Sequence, residues 1–233
     1  MLLVVDDAWS IEDANWFLVG GRHCATLVTT RRAAVAEGLA PTPGDSTRLD
    51  VLSEQAALDL LRKQAPDVVA KHSRECHDLV RELEFLPLAI EIAGRVLCTH
   101  MARWETPKQS SVGKLLAELK DASRILSEKP PASMVHLVEE TSASIAALLK
   151  KSTDYLDEET RERFRYLGAF PPKPATFSLG MLAKTWKVGE SEAQQYVDRL
   201  IDGGLMQPVG GRRFWIHALL VSLAQALWED HEE

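Results

Sequence analysis

The 233-residue chain has little cysteine and no long hydrophobic run. Cys24, Cys76 and Cys98 are odd in number and widely spaced, and no two stand at metal-ligand spacing. They point to neither a disulfide scaffold nor a zinc site, and are expected as small hydrophobes in a reducing compartment. The apolar stretches at 1–5 and 216–221 are far shorter than the roughly 20 residues a bilayer span requires. No basic segment precedes the apolar amino terminus, which meets Asp6 and Asp7 at once, so it does not have the pattern of a signal peptide. A cytoplasmic location is the resulting expectation. Basic residues are also in deficit, 27 Lys and Arg against 34 Asp and Glu, a formal net charge of -7. That balance opposes a general affinity for nucleic acid and points to protein or small-molecule partners.

What remains is an ordinary globular composition, 45% hydrophobic and 26% charged, in a chain long enough for one large or two small cores. The segment 1–52 has the pattern of part of a parallel α/β sheet. Leu2 to Val5 and Ala25 to Thr29 are short β-prone runs separated by a helix-like stretch from Ile11 to Leu18, and a third strand is expected over Thr47 to Val51. Starting inside a buried strand makes the amino terminus look cut.

From Ser53 the hydrophobic period becomes helical. Ser53 is a plausible N-cap for a helix bearing Leu58, Leu61 and Ala65, with Pro66 as its stop. One further helix carries Val69, Cys76, Leu79, Val80 and Leu83, a second opens at Pro87, and a third carries Val112, Leu115, Leu116 and Leu119. The polar stretch Ser127 to Pro131 reads as a linker. Beyond it, helices are expected around Ile145 to Lys151, Glu158 to Leu167, Leu179 to Ala183 and Ala193 to Ile201. A hairpin over Leu205 to Ile216 turns at Gly210-Gly211, and a last helix carries Leu219 to Leu227, ending in a charged tail from Glu229. Helices followed by a β-wing form the pattern of a winged helix. The expected domains are therefore 1–52, a partial nucleotide-binding α/β domain; 53–130, a helical subdomain; and 131–233, a winged helix.

Two strand ends carry the chemistry. Leu2-Leu3-Val4-Val5-Asp6-Asp7 resembles a Walker B element, whose acids lie at the carboxyl edge of a parallel sheet, although a loop cap needs no more than the same residues. Thr29-Thr30-Arg31 ends the next strand, where an arginine fork beside the acids suits a terminal phosphate or, more simply, a surface ion pair. Phe85-Leu86-Pro87-Leu88-Ala89-Ile90 and Ile216-His217-Ala218-Leu219-Leu220 complete an ordered set with Phe170 to Trp186.

In that order these segments resemble the NB-ARC module, the nucleotide switch of plant disease-resistance receptors, the apoptosome ATPase and related bacterial STAND-class signalling ATPases, over nearly the whole chain. The resemblance implies ADP or ATP with Mg²⁺ as cofactor. It gives Asp6 the metal-associated role, Asp7 the water-orienting one, and Arg31 the sensing of the γ-phosphate. Pro87 would lie on the adenine and His217 would reach the β-phosphate of ADP. Without the resemblance, Pro87 is a helix-starting residue and His217 a satisfied cap.

The chain departs from that family in two respects. Ala218 stands where the family has an aspartate, which removes a brace on His217 and implies a loose hold on ADP. No G-x-x-x-x-G-K-[ST] occurs, since Gly20-Gly21-Arg22 and Gly210-Gly211-Arg212 lack both spacing and lysine. Negligible ATP hydrolysis and weak nucleotide affinity are the expectation, with the Ala25 to Thr29 strand left as an open edge unless Thr47 to Val51 or another chain fills it. Two other classes compete: a nucleotide-independent module that works by contact with protein partners, such as a second copy or an intact relative, and a DNA-binding winged helix. Glu190, Glu192, Asp198 and Asp202 on the would-be recognition helix oppose the latter.

Overall fold

The computed structural model describes residues 1–18, 20–101 and 110–232, and its contacts divide the chain into two units, Met1–Asp50 and Val51–Glu233. The protein is mainly helical, with two small sheets among the described residues.

In the first unit, β1 (Leu2–Val5) and β2 (Ala25–Val28) pair in parallel, with Leu2 opposite Ala25 and Val5 opposite Val28. The crossover contains α1 (Ile11–Asn15), started by Ser10, whose hydroxyl accepts the Asp13 N–H at 3.1 Å. A second helix, α2 (Ala33–Leu39), meets α1 where Gly38 approaches Ile11. The core here is thin: among the described residues only the hydrophobics Ala14 and Val35 are buried.

Three expectations for this unit need correction. The α1 helix stops at Asn15 and does not reach Leu18. Thr47 to Val51 forms no strand, because the segment leaves a short turn at Pro43–Asp45, boxed by Thr42 and Asp45, and finds no ladder partner; Leu49 is 92% exposed. The strands are also not buried. Leu2, Val4 and Leu27 line one exposed face, although parallel strands ordinarily have both faces covered.

The second unit is built on one continuous core running in sequence from Ala57 to Ala226. Ser53 caps α3 (Glu54–Gln64), which buries Ala57, Leu58 and Leu61. Pro66 ends that helix and also opens α4 (Pro66–Lys71). The apolar stripe from Val69 to Leu83, expected as one helix, is interrupted at His72, where the backbone leaves helical geometry before α5 (Ser73–Glu82). At the centre lies α6 (Pro87–Val96), begun by proline because the first helical N–H has no intrahelical acceptor to lose. Its Leu88, Ala89, Ile90, Ile92, Ala93, Gly94 and Val96 are all buried.

After a π-helical turn at Leu97–Met101, α7 (Ser111–Glu128) is capped by Ser110. It runs through Ser127 and Glu128, so the expected linker shrinks to Lys129–Pro131; the heptad-like spacing of Leu115, Leu119 and Leu126 outlasts the polar sequence. A short helix, α8 (Val135–Glu140), and α9 (Ala143–Asp154) follow. The carbonyls of Thr153, Asp154 and Leu156, at and just beyond the end of α9, are collected by the guanidinium of Arg161 at 3.1 Å each. Arg161 belongs to α10 (Glu158–Arg165).

Next come β3 (Phe177–Ser178), α11 (Leu179–Trp186), α12 (Glu190–Asp202), β4 (Gln207–Gly210) and β5 (Arg213–Trp215), then α13 (Ala218–Glu232). The three strands form an antiparallel sheet in the order β3-β5-β4. At two residues, β3 is too short to leave a signal in the hydrophobic pattern. The charged run from Glu229, expected as a tail, continues α13 to Glu232, while Glu233 lies outside the described residues.

Two polar links join α6 to the carboxy-terminal part: Arg95 donates to the Ile201 carbonyl at 2.7 Å, and Gln207 donates to Glu91 at 3.4 Å. The chain passes Arg95 at Gly204, which has φ +75° and where a Cβ would meet Arg95 Cδ at 2.8 Å. Elsewhere on its surface α6 meets α3 so closely that a Cβ on Gly94 would stand 2.5 Å from Gln64 Cβ. Because that neighbour is fixed to its backbone, Gly94→Ala requires the helices to separate. It is expected to lower the unfolding free energy by about 1–3 kcal/mol, seen as a reduced urea midpoint with an unchanged slope.

Candidate functional site

The parallel register brings the carboxyl ends of β1 and β2 to one edge, so Asp6 and Asp7 stand beside Thr29, Thr30 and Arg31. Main-chain bonds extend the pairing past the strands: Thr29 N–H donates to the Val5 carbonyl at 2.9 Å and Ala8 N–H to the Thr29 carbonyl at 2.8 Å. The Thr29 hydroxyl joins the two acids. It donates to Asp6 Oδ1 and accepts the Asp7 N–H at 2.9 Å. Thr30 donates to the Ala8 carbonyl at 2.7 Å and Arg32 to the Trp9 carbonyl at 2.8 Å, which fixes the loop carrying the acids to the loop carrying the arginine.

Asp7 takes a left-handed backbone conformation, φ +55°, which Asp tolerates better than most residues. Its carboxylate receives Arg31 bidentately, Nε to Oδ1 and Nη2 to Oδ2, both at 3.0 Å. The Arg31 guanidinium also lies 4.9 Å from the centroid of the Trp9 ring. This planar two-bond geometry is the one by which arginine binds phosphate or carboxylate ligands. Here the fork holds the chain's own carboxylate. The Arg31 hydrogen bonds hold the Asp7 carboxyl below the ordinary carboxylate value, against the opposing effect of its partial burial.

Pro87 and His217 both lie in the second unit. Pro87 is the exposed first residue of α6. His217 is half-buried immediately before α13; its Nδ1 accepts the Leu219 N–H at 3.2 Å and its carbonyl accepts from Leu220 and Val221. An accepting Nδ1 places the proton of the neutral ring on Nε2. The structure therefore brings Asp6, Asp7 and Arg31 together, and puts Pro87 and His217 at the heads of two helices of the other unit.

The sequence reading missed Thr29 as the hydroxyl that links the acids, and Trp9 as the ring beneath Arg31. A threonine at the end of a β-prone run was the available signal, but only the register shows which carboxylate it meets.

Among the described residues, no group of three or more His, Cys, Asp or Glu is arranged to hold a metal ion. A Mg²⁺ at Asp6 would accordingly take most of its oxygens from water and phosphate, a common arrangement for that ion. In that sense the edge fits a metal–phosphate group: one carboxylate held by a hydroxyl, a second by a guanidinium able to exchange partners. No protein-family model matches this chain, and no curated protein matches it.

Asp7 has a depressed pKa in the folded state, so its contribution to stability is complete above the ordinary carboxylate value of about 4 and is lost as pH falls through the lower folded value. The Arg31 and Asp7 side chains are 58% and 40% exposed, so solvent screening limits the contribution to about 0.2–1 kcal/mol. Carbon-detected NMR titration of the Asp7 carboxyl should give a midpoint below that of an ordinary aspartate, and Arg31→Ala should return it to the ordinary range.

Proposed function

We propose that the chain is part of an ADP/ATP-responsive signalling switch of the NB-ARC type, with negligible ATP hydrolysis of its own. The observation that carries this reading is the edge formed by Asp6, Thr29, Asp7 and Arg31 at the carboxyl ends of two parallel strands, where nucleotide phosphates bind in open α/β sheets. The order of elements from α10 to β5 supports it further. Three helices interleaved with a short strand are followed by an antiparallel pair completing β3-β5-β4, an order that supports the winged-helix reading.

In this reading Asp6 would hold the Mg²⁺ that accompanies the nucleotide, and Asp7 would orient water. Arg31 leaves Asp7 for a terminal phosphate, so the ion pair is the resting state of the sensor. Pro87 offers a rigid apolar surface to a base. His217, whose Nδ1 accepts from the α13 N-terminus, is the residue this reading assigns to a phosphate of the nucleotide. Magnesium and ATP supply the phosphoryl chemistry, and these residues position and stabilise charge. The chain has no lysine-bearing phosphate loop, and Ala218 gives His217 no carboxylate brace. Binding is accordingly weak and hydrolysis negligible.

One observation favours a second reading, a contact-only module that needs no nucleotide. Leu2, Val4 and Leu27 form a bare face on a parallel strand pair, a surface whose strand type ordinarily lies beneath another layer.

Calorimetric titration of the chain with ADP and Mg²⁺ separates the two. A nucleotide switch gives saturable heat that His217→Ala and Arg31→Ala both weaken. No heat at high protein concentration sinks that reading and leaves the contact-only one.

A further inference from the structure

An open groove of about 660 Å³ runs along the outer side of α11, lined by Ser178, Gly180, Met181, Lys184, Lys187 and Glu190 among others. Its floor includes Met181, which is 50% exposed. The β4–β5 turn borders it: Leu179 N–H donates to the Arg212 carbonyl at 3.3 Å, and Ser178 pairs with Arg213 in the ladder. Arg212 reaches across to Glu190, its Nη1 3.9 Å from Oε2, with the two side chains 71% and 61% exposed. The groove thus has Met181 at its base and two cations, Lys184 and Lys187, on its walls, opposed by Glu190, with Arg212 at the rim beside that carboxylate.

Two of those cations stand where backbone conformation favours glycine. Lys187 follows the last turn of α11 at φ +56°, the helix-ending position that glycine usually fills. Arg212 ends a run of left-handed residues after Gly210 and Gly211, at φ +55°. A long side chain in this region costs about 1 kcal/mol relative to glycine, and such positions concentrate at functional sites. One of these strained positions puts a cation on the groove wall and the other puts one at its rim, beside Glu190.

We propose that this groove docks a short acidic segment of a partner protein. Lys184, Lys187 and Arg212 take its carboxylates, Met181 takes an apolar side chain between them, and Arg212 exchanges Glu190 for the incoming acid. Charge selects a peptide over a nucleic acid. Helix α12 exposes Glu192, Asp198 and Asp202, which repel an extended polyphosphate, whereas a segment of a few residues needs to meet only the groove. The site is independent of nucleotide and of the β1–β2 edge.

The test is fluorescence anisotropy with the full chain and three fluorescein-labelled probes: a decapeptide alternating Asp or Glu with Leu, its Asn/Gln counterpart, and an oligothymidylate of the same charge. The acidic peptide should bind saturably and more tightly than either control. Arg212→Gly and Lys187→Gly should each weaken it about three- to tenfold, the effect of losing one surface charge-assisted contact. Because both changes relieve a left-handed side chain, their thermal midpoints should hold or rise, so weaker binding is not unfolding. Glu190→Gln, which removes the competing acid, should tighten the peptide. Absence of saturable binding, binding unaltered in both glycine variants, or equal or tighter binding of the oligothymidylate overturns the proposal.

Discussion

The second unit depends on the burial of α6 on nearly every side. A helix with leucine, isoleucine, alanine, glycine and valine facing all directions has no solvent stripe, so elements before and after it in sequence must cover it. Gly94 sets how closely α3 can approach, and Gly204 how closely the chain after α12 can pass. The few polar atoms on α6 that reach outward, on Glu91 and Arg95, go to Gln207 and to the Ile201 carbonyl. The helical segment and the β3-β5-β4 sheet therefore share one core, and α6 carries at its head Pro87, the residue assigned to the base under the proposed function.

The first unit shows the opposite balance. Two short parallel strands and two short helices bury very little apolar side chain, and one sheet face is left bare. Its order comes instead from a polar web in which every link crosses between the two strand ends: Thr29 to Asp6 and Asp7, Thr30 to Ala8, Arg31 to Asp7, Arg32 to Trp9. Most of these groups are exposed, so each bond adds little stability, but together they fix the direction of two carboxylates and a guanidinium. Groups held in that way keep a fixed geometry, and the bidentate pair must open before Arg31 can take any other anion.

Periodicity exposed the helices well where caps were strong. Ser53, Ser110, Ser142, Asp157 and Ser178 each accept a backbone N–H at a helix start, and a serine or aspartate before an apolar stripe is a local signal. It failed where the deciding contact was distant. The Val69 to Leu83 stripe continues through His72 although the backbone does not, and α7 outruns its polar sequence because Leu126 is buried in the common core. Thr47 to Val51 has strand-like residues, but β structure requires a partner in space, and none stands beside it among the described residues.

The sequence by itself determined the predominance of helix, the acids and the arginine at consecutive strand ends, the proline at the head of α6 and the Gly-Gly turn before Arg212. These follow from side-chain period, capping and φ preference, which act over a few residues. Only tertiary structure decided that Thr29 bridges Asp6 and Asp7, that Arg31 closes on Asp7 while lying over Trp9, and that His217 turns its Nδ1 to the start of α13. It likewise put Lys184 and Lys187 on one groove, with Arg212 reaching its Glu190 from the rim. The physical reason is the same in each case: hydrogen bonds and charges act over a few ångströms, and most of these partners are brought that close only by strand register and helix packing.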